Sequence, residues 1–300
     1  MRPPRRDPFP IHQPVLPHEV LDLLDLRPGL KVVDATVGAG GHSRDILERL
    51  QPGGLLIGID RDPMMLELAS RTLGLPHPNV VLHQSSYVEL PNILAEHEID
   101  GVDRILADLG LSSDQLADTS RGFSFEADGP LDLRFDTSTG SPASELLANR
   151  SAEDLSHLFD EYGEEPFSRQ IATDIVNSRR QTPIQTSRDL AAVVESAIPG
   201  RARTSRHPAT RVFQALRIAV NEELQHVADF VDRVLPNALV PGGRAAIITF
   251  HSLEDRLVKR AFRNREIWQP VTSKPATASS VERRQNPRSR SAKLRVAVRL

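Results

Sequence analysis

Lys31-Val32-Val33-Asp34-Ala35-Thr36-Val37-Gly38-Ala39-Gly40-Gly41-His42-Ser43 is the stretch on which the reading of the fold turns. Lys31 to Thr36 is short, apolar and β-branched, as a buried strand is. Gly38, Gly40 and Gly41 then crowd a turn, and Ser43 to Leu50 takes up a helical pattern. Strand, glycine turn and helix together open a nucleotide-type Rossmann fold. Glycine lets the backbone reach positive φ and approach a ligand closely, and the helix start offers unpaired N–H groups. A second strand, Gly54 to Asp60, ends in an acid about twenty residues beyond the glycines. A carboxylate there can accept hydrogen bonds from both hydroxyls of a ribose, so the two features predict an adenosine-containing ligand.

Working outward, Asp62-Pro63 is a helix start with an N-cap acid and a first-turn proline, and the helix from Pro63 to Leu73 stops at Gly74. Val80 to Gln84 reads as the third strand and Val102 to Leu109 as the fourth, with Asp108 at its end. Ligands of open α/β sheets gather at the carboxyl ends of strands, which puts Asp34, Asp60, Ser85 to Tyr87 and Asp108 in one crevice. On the N-terminal side, His12 to Leu24 sets up a short amphipathic helix before the first strand. After Asp108 the alternation stops for about a hundred residues. Gly110 to Gly140 is loop-like, and then Ser151, Phe167 and Thr186 introduce three helical patterns, two of them with capping boxes. The alternation resumes with a long helix from Ala209 to about Leu235, a fifth strand over Arg244 to Phe250, and a last, alternating strand over Ala292 to Leu300. The expected organisation is a Rossmann-type domain in two parts, 1–110 and 209–300, with a mainly helical, substrate-side insertion at 111–208. The final strand, expected to be antiparallel, points away from dehydrogenases.

Three hundred residues suffice for a large domain carrying an insertion. No N-terminal apolar run resembles a signal peptide, and no apolar run is long enough to span a bilayer, so a cytoplasmic protein without a membrane partner is expected. The absence of cysteine excludes disulfides, thiolate metal sites and a cysteine nucleophile, and no metal is expected. The net charge of −3 conceals an asymmetry: Arg256 to Leu300 holds thirteen Lys/Arg against two acids, while the rest of the chain holds 24 basic and 38 acidic residues. A second acid-free stretch, Ala197 to Val220, carries five arginines. Basic clusters on an acidic protein suit a polyanionic partner, although an arginine-rich tail can equally pair with the protein's own acids.

The glycine turn and ribose acid are common to nicotinamide and S-adenosylmethionine sites. Here Ser43 stands where a dinucleotide fingerprint has its last glycine or alanine, and Asp108 suits a cofactor carrying an α-amino group. Both favour the methyl donor. Asp108 could alternatively accept from the amine being methylated. His251, after the fifth strand, could take the released proton or cap the helix that follows. Phe123 and Phe125 could stack a flipped base or be core. Arg288, Arg290, Lys293 and Arg295 are the candidates for contacts to the phosphates of a polyanionic partner, which the resemblance below makes RNA.

Seven motifs resemble, in order, those of the bacterial MraW family of ribosomal RNA small-subunit methyltransferases. They are His12 to Leu16, Asp34 to Ser43, Asp108 to Leu116, Arg121 to Phe125, Asp128 to Arg134, Phe250 to Arg256 and Asn286 to Arg295. The resemblance implies a class I S-adenosylmethionine-dependent methyltransferase fold with a helical insertion. It also implies methylation of the N4 amine of a cytidine near the ribosomal P site of 16S rRNA, with the RNA presented within a small ribosomal subunit. It assigns cofactor contacts to Gly40, Gly41, His42, Asp60, Tyr87, Asp108 and Gln115. A homodimer is compatible with it. Tyr87, Leu111 and Asp114 depart mildly from the family pattern, and Leu109-Gly110-Leu111 replaces the Pro-Pro-aromatic run of many amino-methyltransferases. A non-catalytic rRNA-binding assembly factor and a DNA methyltransferase are the competing readings.

Overall fold

The structure, a computed structural model, describes residues 13–125, 128–200 and 207–300. His12, Arg201, Arg203 and Arg206 of the motifs and basic stretch above lie outside the described residues. Contacts divide the described residues into two units, one over Ser113–Glu223 and one that joins 13–112 to Leu224–Leu300.

The second unit is the sheet domain. Its strands are β1 (Lys31–Asp34), β2 (Leu55–Asp60), β3 (Val80–Gln84), β4 (Val102–Asp108), β5 (Leu239–Thr249), β6 (Trp268–Pro270) and β7 (Lys293–Arg299). They form a single sheet in the order β3-β2-β1-β4-β5-β7-β6. The first five run parallel, and β7 inserts antiparallel between β5 and β6. Helices α1 (Pro17–Leu24), α2 (Gly41–Leu50) and α3 (Pro63–Leu73) bury Val20, Leu24, Ile46, Leu50 and Leu73 against one face. The other face is covered by α4 (Leu90–Glu96) and by helices between Leu224 and Phe262, through Ile93, Val227, Phe230, Val234 and Val258. Parallel strands covered on both faces must be apolar throughout, and β4 shows it: Ile105, Leu106 and Ala107 are all at most 1% exposed.

The helical unit begins with α5 (Ser113–Ala117) and α6 (Ala143–Asn149), then α7 (Ala152–Gly163), α8 (Ser168–Arg179), α9 (Ser187–Ala197) and α10 (Thr210–Asn221). Among its described residues the only β-bridge is an isolated one, between Pro130 and Thr186. Ser151 and Thr186 cap α7 and α9 with the expected capping boxes, to Asp154 and Asp189. Helix α10 groups with this unit, which therefore runs past residue 208 to Glu223.

Three expectations need correction. The helix read as continuous from Ala209 to Leu235 stops at Glu222, which has φ 53°. The chain restarts as α11 (Glu223–Asp229), passes through a π-turn at Phe230–Val234 and ends as α12 (Leu235–Ala238). An apolar stripe keeps its period across such a break, so the sequence pattern does not mark it. The fifth strand starts at Leu239, because Pro241-Gly242-Gly243 forms an irregularity inside it, with Gly242 at φ 80° and a register shift opposite Val102/Arg104. Strand β6 went unread, since three residues carry no period. Two further helices complete the domain, α13 (Ser252–Ala261) and α14 (Ser280–Gln285).

Candidate active site at the carboxyl ends of the strands

Three neighbouring strands of the sheet each end in an aspartate: β1 in Asp34, β2 in Asp60 and β4 in Asp108. Asp34, 1% exposed, works inward. Its Oδ2 accepts from Ser43 Oγ at 2.7 Å, tying the end of β1 to the first turn of α2 across the glycine turn. Asp60 is the other anchor of that turn, because its Oδ2 accepts from Gly38 N–H at 2.9 Å and its Oδ1 from Asp62 N–H at 3.0 Å. Asp62 in turn caps α3 by accepting from Met64 N–H at 3.0 Å. The spacing that suggested a ribose acid thus also places Asp60 where it shapes the glycine loop itself.

The glycines have distinct duties. Gly40 sits at φ 84°, and a Cβ there would lie 3.3 Å from Ala69 Cα. Gly41 is pressed by Pro14 at the same distance. At Gly38, φ 51°, an added Cβ would have only Thr36 O nearby, at 3.9 Å, so this face of the turn is open to a ligand.

Asp108 is held at the end of β4 by its own N–H, which donates to Thr36 Oγ1 at 2.6 Å. Its side chain is 12% exposed, and Oδ1 is buried without a hydrogen-bond partner. Opposite it, His42 Nε2 is likewise buried and unpartnered, 3.9 Å from Asp108 Oδ2. Burial raises all three carboxyls, Asp34 to about 6 and Asp60 and Asp108 to about 7. Hydrogen bonds from Ser43 and Thr36 pull Asp34 back down, and Arg288 pulls Asp108 down while Asp34 and Glu254 push it up. Burial also drives His42 down to about 4, so its ring is neutral. Buried polar atoms normally find partners. An unpaired carboxylate oxygen beside an unpaired imidazole nitrogen leaves room for a ligand that brings N–H groups and positive charge.

The remaining sequence candidates fall in different places. Tyr87, just beyond β3, packs its ring 4.7 Å from Phe230 and 6.3 Å from His226, on the same edge of the sheet domain as Asp60. Gln115, 6% exposed on α5, belongs to the helical unit. So do Phe123 and Phe125. Phe123 is 5% exposed, with Phe135 stacked on it at 5.8 Å and the Arg121 guanidinium 5.3 Å from its centroid. With its ring so occupied it is a core residue and offers no face to a base. Phe125 stacks on His207 at 4.1 Å, 20° from parallel, and meets Phe213 edge-on.

His251 is turned onto its own helix. Nδ1 accepts from Glu254 N–H at 3.5 Å, Nε2 sits 2.9 Å from Glu254 Oε1, and Glu254 Oε2 accepts from Phe250 N–H and His251 N–H. His251 thus caps α13 through Nδ1, while its Nε2 is buried and makes no hydrogen bond. Arg295 and Lys293 are also diverted: Arg295 Nε and Nη2 donate to Asp255 at 2.7 and 3.1 Å, and Lys293 Nζ lies 3.2 Å from it. These two cations balance a buried acid of α13, Arg295 half-buried and Lys293 with 42% of its side chain exposed. Arg290 is exposed, whereas Arg288 is half-buried and acts on Asp108. Sequence reasoning missed Glu254 and the inward role of Arg288. The first had a signal, the His251-to-Glu254 capping-box spacing; the second had none.

The sheet order, the reversed β7 and an acidic crevice floored by a glycine turn define a class I methyltransferase. The model of the MraW methylase family matches residues 10–300, and the chain belongs to that family. It is 48% identical over 300 residues to "Ribosomal RNA small subunit methyltransferase H" of Cyanothece sp., covering 100% of this chain and 98% of the relative. The protein of the same name from Syntrophotalea carbinolica is 47% identical over 308 residues, with 96% and 98% covered.

Proposed function

We propose that this methyltransferase uses S-adenosylmethionine to methylate the N4 amine of a cytidine near the P site of 16S rRNA, taking the RNA within the small ribosomal subunit. The observation that carries the reading is Asp108 at the carboxyl end of β4, with its Oδ1 buried and unpartnered and its Oδ2 3.9 Å from the buried, unpartnered Nε2 of His42. The donor set fits the cofactor: Asp108 for an ammonium, Asp60 for ribose hydroxyls, Tyr87 for the adenine edge, and the open face of Gly38 for close backbone approach. Gln115 is carried over from the family as a further contact. When bound, the cofactor supplies an electrophilic methyl group on a sulfonium.

The residues of this chain hold and orient. Asp108 sets the methionine end by charge-assisted hydrogen bonding. The glycine turn, fixed by Asp34 and Asp60, keeps the cradle rigid, and positioning of the reactants supplies much of the barrier reduction. Transfer to an exocyclic amine needs no covalent adduct, and a chain with no cysteine lacks the usual nucleophile for methylating a pyrimidine ring carbon. Exposed cations of the C-terminal segment, Arg284 and Arg290 among them, suit RNA phosphates, which position without specifying sequence.

The test is transfer of labelled methyl groups to naked 16S rRNA, to assembled small subunits and to DNA, with the modified nucleoside identified by mass spectrometry. N4-methylcytidine in subunits is the expected product. RNA binding without incorporation would favour an assembly factor, and label in DNA would favour the DNA enzyme.

A further inference from the structure

The motif Gln13-Pro14-Val15-Leu16 has no part in the chemistry above, yet it lies directly on the glycine turn. Leu16 N–H donates to Glu282 Oε1 at 2.7 Å. Asn286 Nδ2 donates to Gln13 O at 3.3 Å. Pro14 packs so closely over Gly41 that an added Cβ would meet its ring at 3.3 Å. Val15 and Leu16 are fully buried, and Leu16 holds φ 55°, a conformation that costs a non-glycine residue about 1–2 kcal/mol and persists only where its surroundings over-determine it. The strap is therefore built, from the C-terminal segment on one side and the cofactor loop on the other.

The strap also reaches a side chain of the site. The ring of His42 is hydrogen-bonded to the backbone of Val15. Since Nε2 has no partner, the donor is Nδ1. A neutral imidazole that donates through Nδ1 carries its lone pair on Nε2, and the bond made by one nitrogen sets what the other can do. Here Nε2 lies 3.9 Å from Asp108 Oδ2. The charged groups facing the ring are Asp45 on its own helix and Asp108 on β4.

We propose that the strap, held by Glu282 and Asn286, fixes His42 in the Nδ1–H tautomer so that its Nε2 lone pair and Asp108 form a paired acceptor for the N–H groups of a cationic amine. Glu282 and Asn286 are then positioning residues that act on the site without touching it. Identifying the amine as the ammonium of the cofactor rests on the function proposed above; the tautomer does not.

The full-length protein labelled with ¹⁵N-histidine, free of cofactor and RNA, is examined by NMR. His42 is expected to show a protonated Nδ1 and a bare Nε2. Glu282→Ala should mix the two tautomers and weaken binding of S-adenosylhomocysteine about tenfold, the size typical for loss of an outer-sphere support. Glu282→Gln, whose amide oxygen can still accept from Leu16 N–H, should restore both. A wild-type His42 protonated on Nε2, or Glu282→Ala with ring signals and affinity unchanged, would overturn the inference. Should Glu282→Ala fail to fold, the wild-type tautomer and Asn286→Ala decide. An enzyme that methylates rRNA with His42 protonated on Nε2 sinks this inference alone, and the expected tautomer in a protein that transfers no methyl sinks only the proposed function.

Discussion

Asp108→Asn should change ligand affinity and stability in opposite directions. In the ligand-free protein, burial holds the Asp108 carboxyl at about 7, against an ordinary 3.8, even with Arg288 pulling it down. An ammonium is bound best by the ionised form. Wild-type affinity for S-adenosylmethionine should therefore fall about tenfold per pH unit below neutrality, on account of this one proton. The amide keeps an acceptor oxygen but no charge, so the variant should lose about 1.5–3 kcal/mol of a charged hydrogen bond, roughly 10- to 150-fold in Kd at pH 8. Its pH profile should be shallower by one proton. Stability runs the other way. A carboxyl whose folded pKa is raised from 3.8 contributes stability that is complete below about pH 4 and is lost as pH rises through about 7. At pH 8 the wild type thus carries a strained buried anion worth up to about 4 kcal/mol for a shift of roughly three units, and the amide does not. Isothermal titration between about pH 5.5 and pH 8.5, with thermal melts of the empty protein at the same values, reads both effects. Unchanged affinity in Asp108→Asn, or an identical pH slope in the two proteins, would refute the assignment of Asp108 to the ammonium.

Gly40→Ala forces an L side chain to φ 84° and against Ala69, so it should cost about 1–2 kcal/mol in a denaturant melt and reduce cofactor affinity with it. Asp60→Ala orphans the N–H groups of Gly38 and Asp62 as well as removing the ribose partner; a loss of about 2 kcal/mol in stability and at least tenfold in affinity is expected, measured by melting and titration. Arg290→Glu should weaken RNA capture and lower the salt dependence of binding by about one ion, with stability unchanged. Arg295→Ala should instead lower stability by on the order of 2–3 kcal/mol in a denaturant melt, because Asp255 loses its bidentate partner, while the salt slope of RNA binding stays put.

How much could be read from the chain depended on the range of the signal. Asp62-Pro63 before α3, Gly74 after it, and the Ser151 and Thr186 capping boxes are local chemistry that can be satisfied in only one way, and each stands where it was expected. The parallel strands were legible because sheets covered on both faces demand unbroken apolar runs. What failed was non-local. Whether Arg295 and Lys293 serve a polyanion or the protein's own acids is open in the sequence, and it takes α13 to bring Asp255 to them. Phe123 could be read as core or as a stacking ring, and only the arrival of Phe135 from further along the chain decides for core. Of the two readings of His251, the cap is set locally by its spacing to Glu254, while what its unpartnered Nε2 meets is not a local matter. The contact between Leu16 and Glu282 joins residues 266 apart, and no period or spacing encodes it.

The electrostatics of the crevice decide between the two cofactors that its glycine turn could serve. Asp34 lies close enough to both Asp60 and Asp108 to raise each of them, and burial raises all three. Asp34 and Asp60 offset part of that penalty with Ser43, Thr36, Gly38 and Asp62, and Asp108 with the backbone of Gly110, yet Asp108 alone of the three keeps a buried oxygen, Oδ1, without a partner. A dinucleotide would bring a pyrophosphate into this field and add negative charge to a region already reluctant to ionise. A sulfonium nucleoside with an α-ammonium brings positive charge to the oxygen that lacks a partner, and in doing so drives Asp108 to its ionised form. The same field explains why His42 is useful only when neutral: a cationic imidazole would neutralise Asp108 from within and repel the ligand. Burial that keeps the ring uncharged, together with a backbone bond that turns its lone pair toward Asp108, leaves the ligand as the cation that satisfies both.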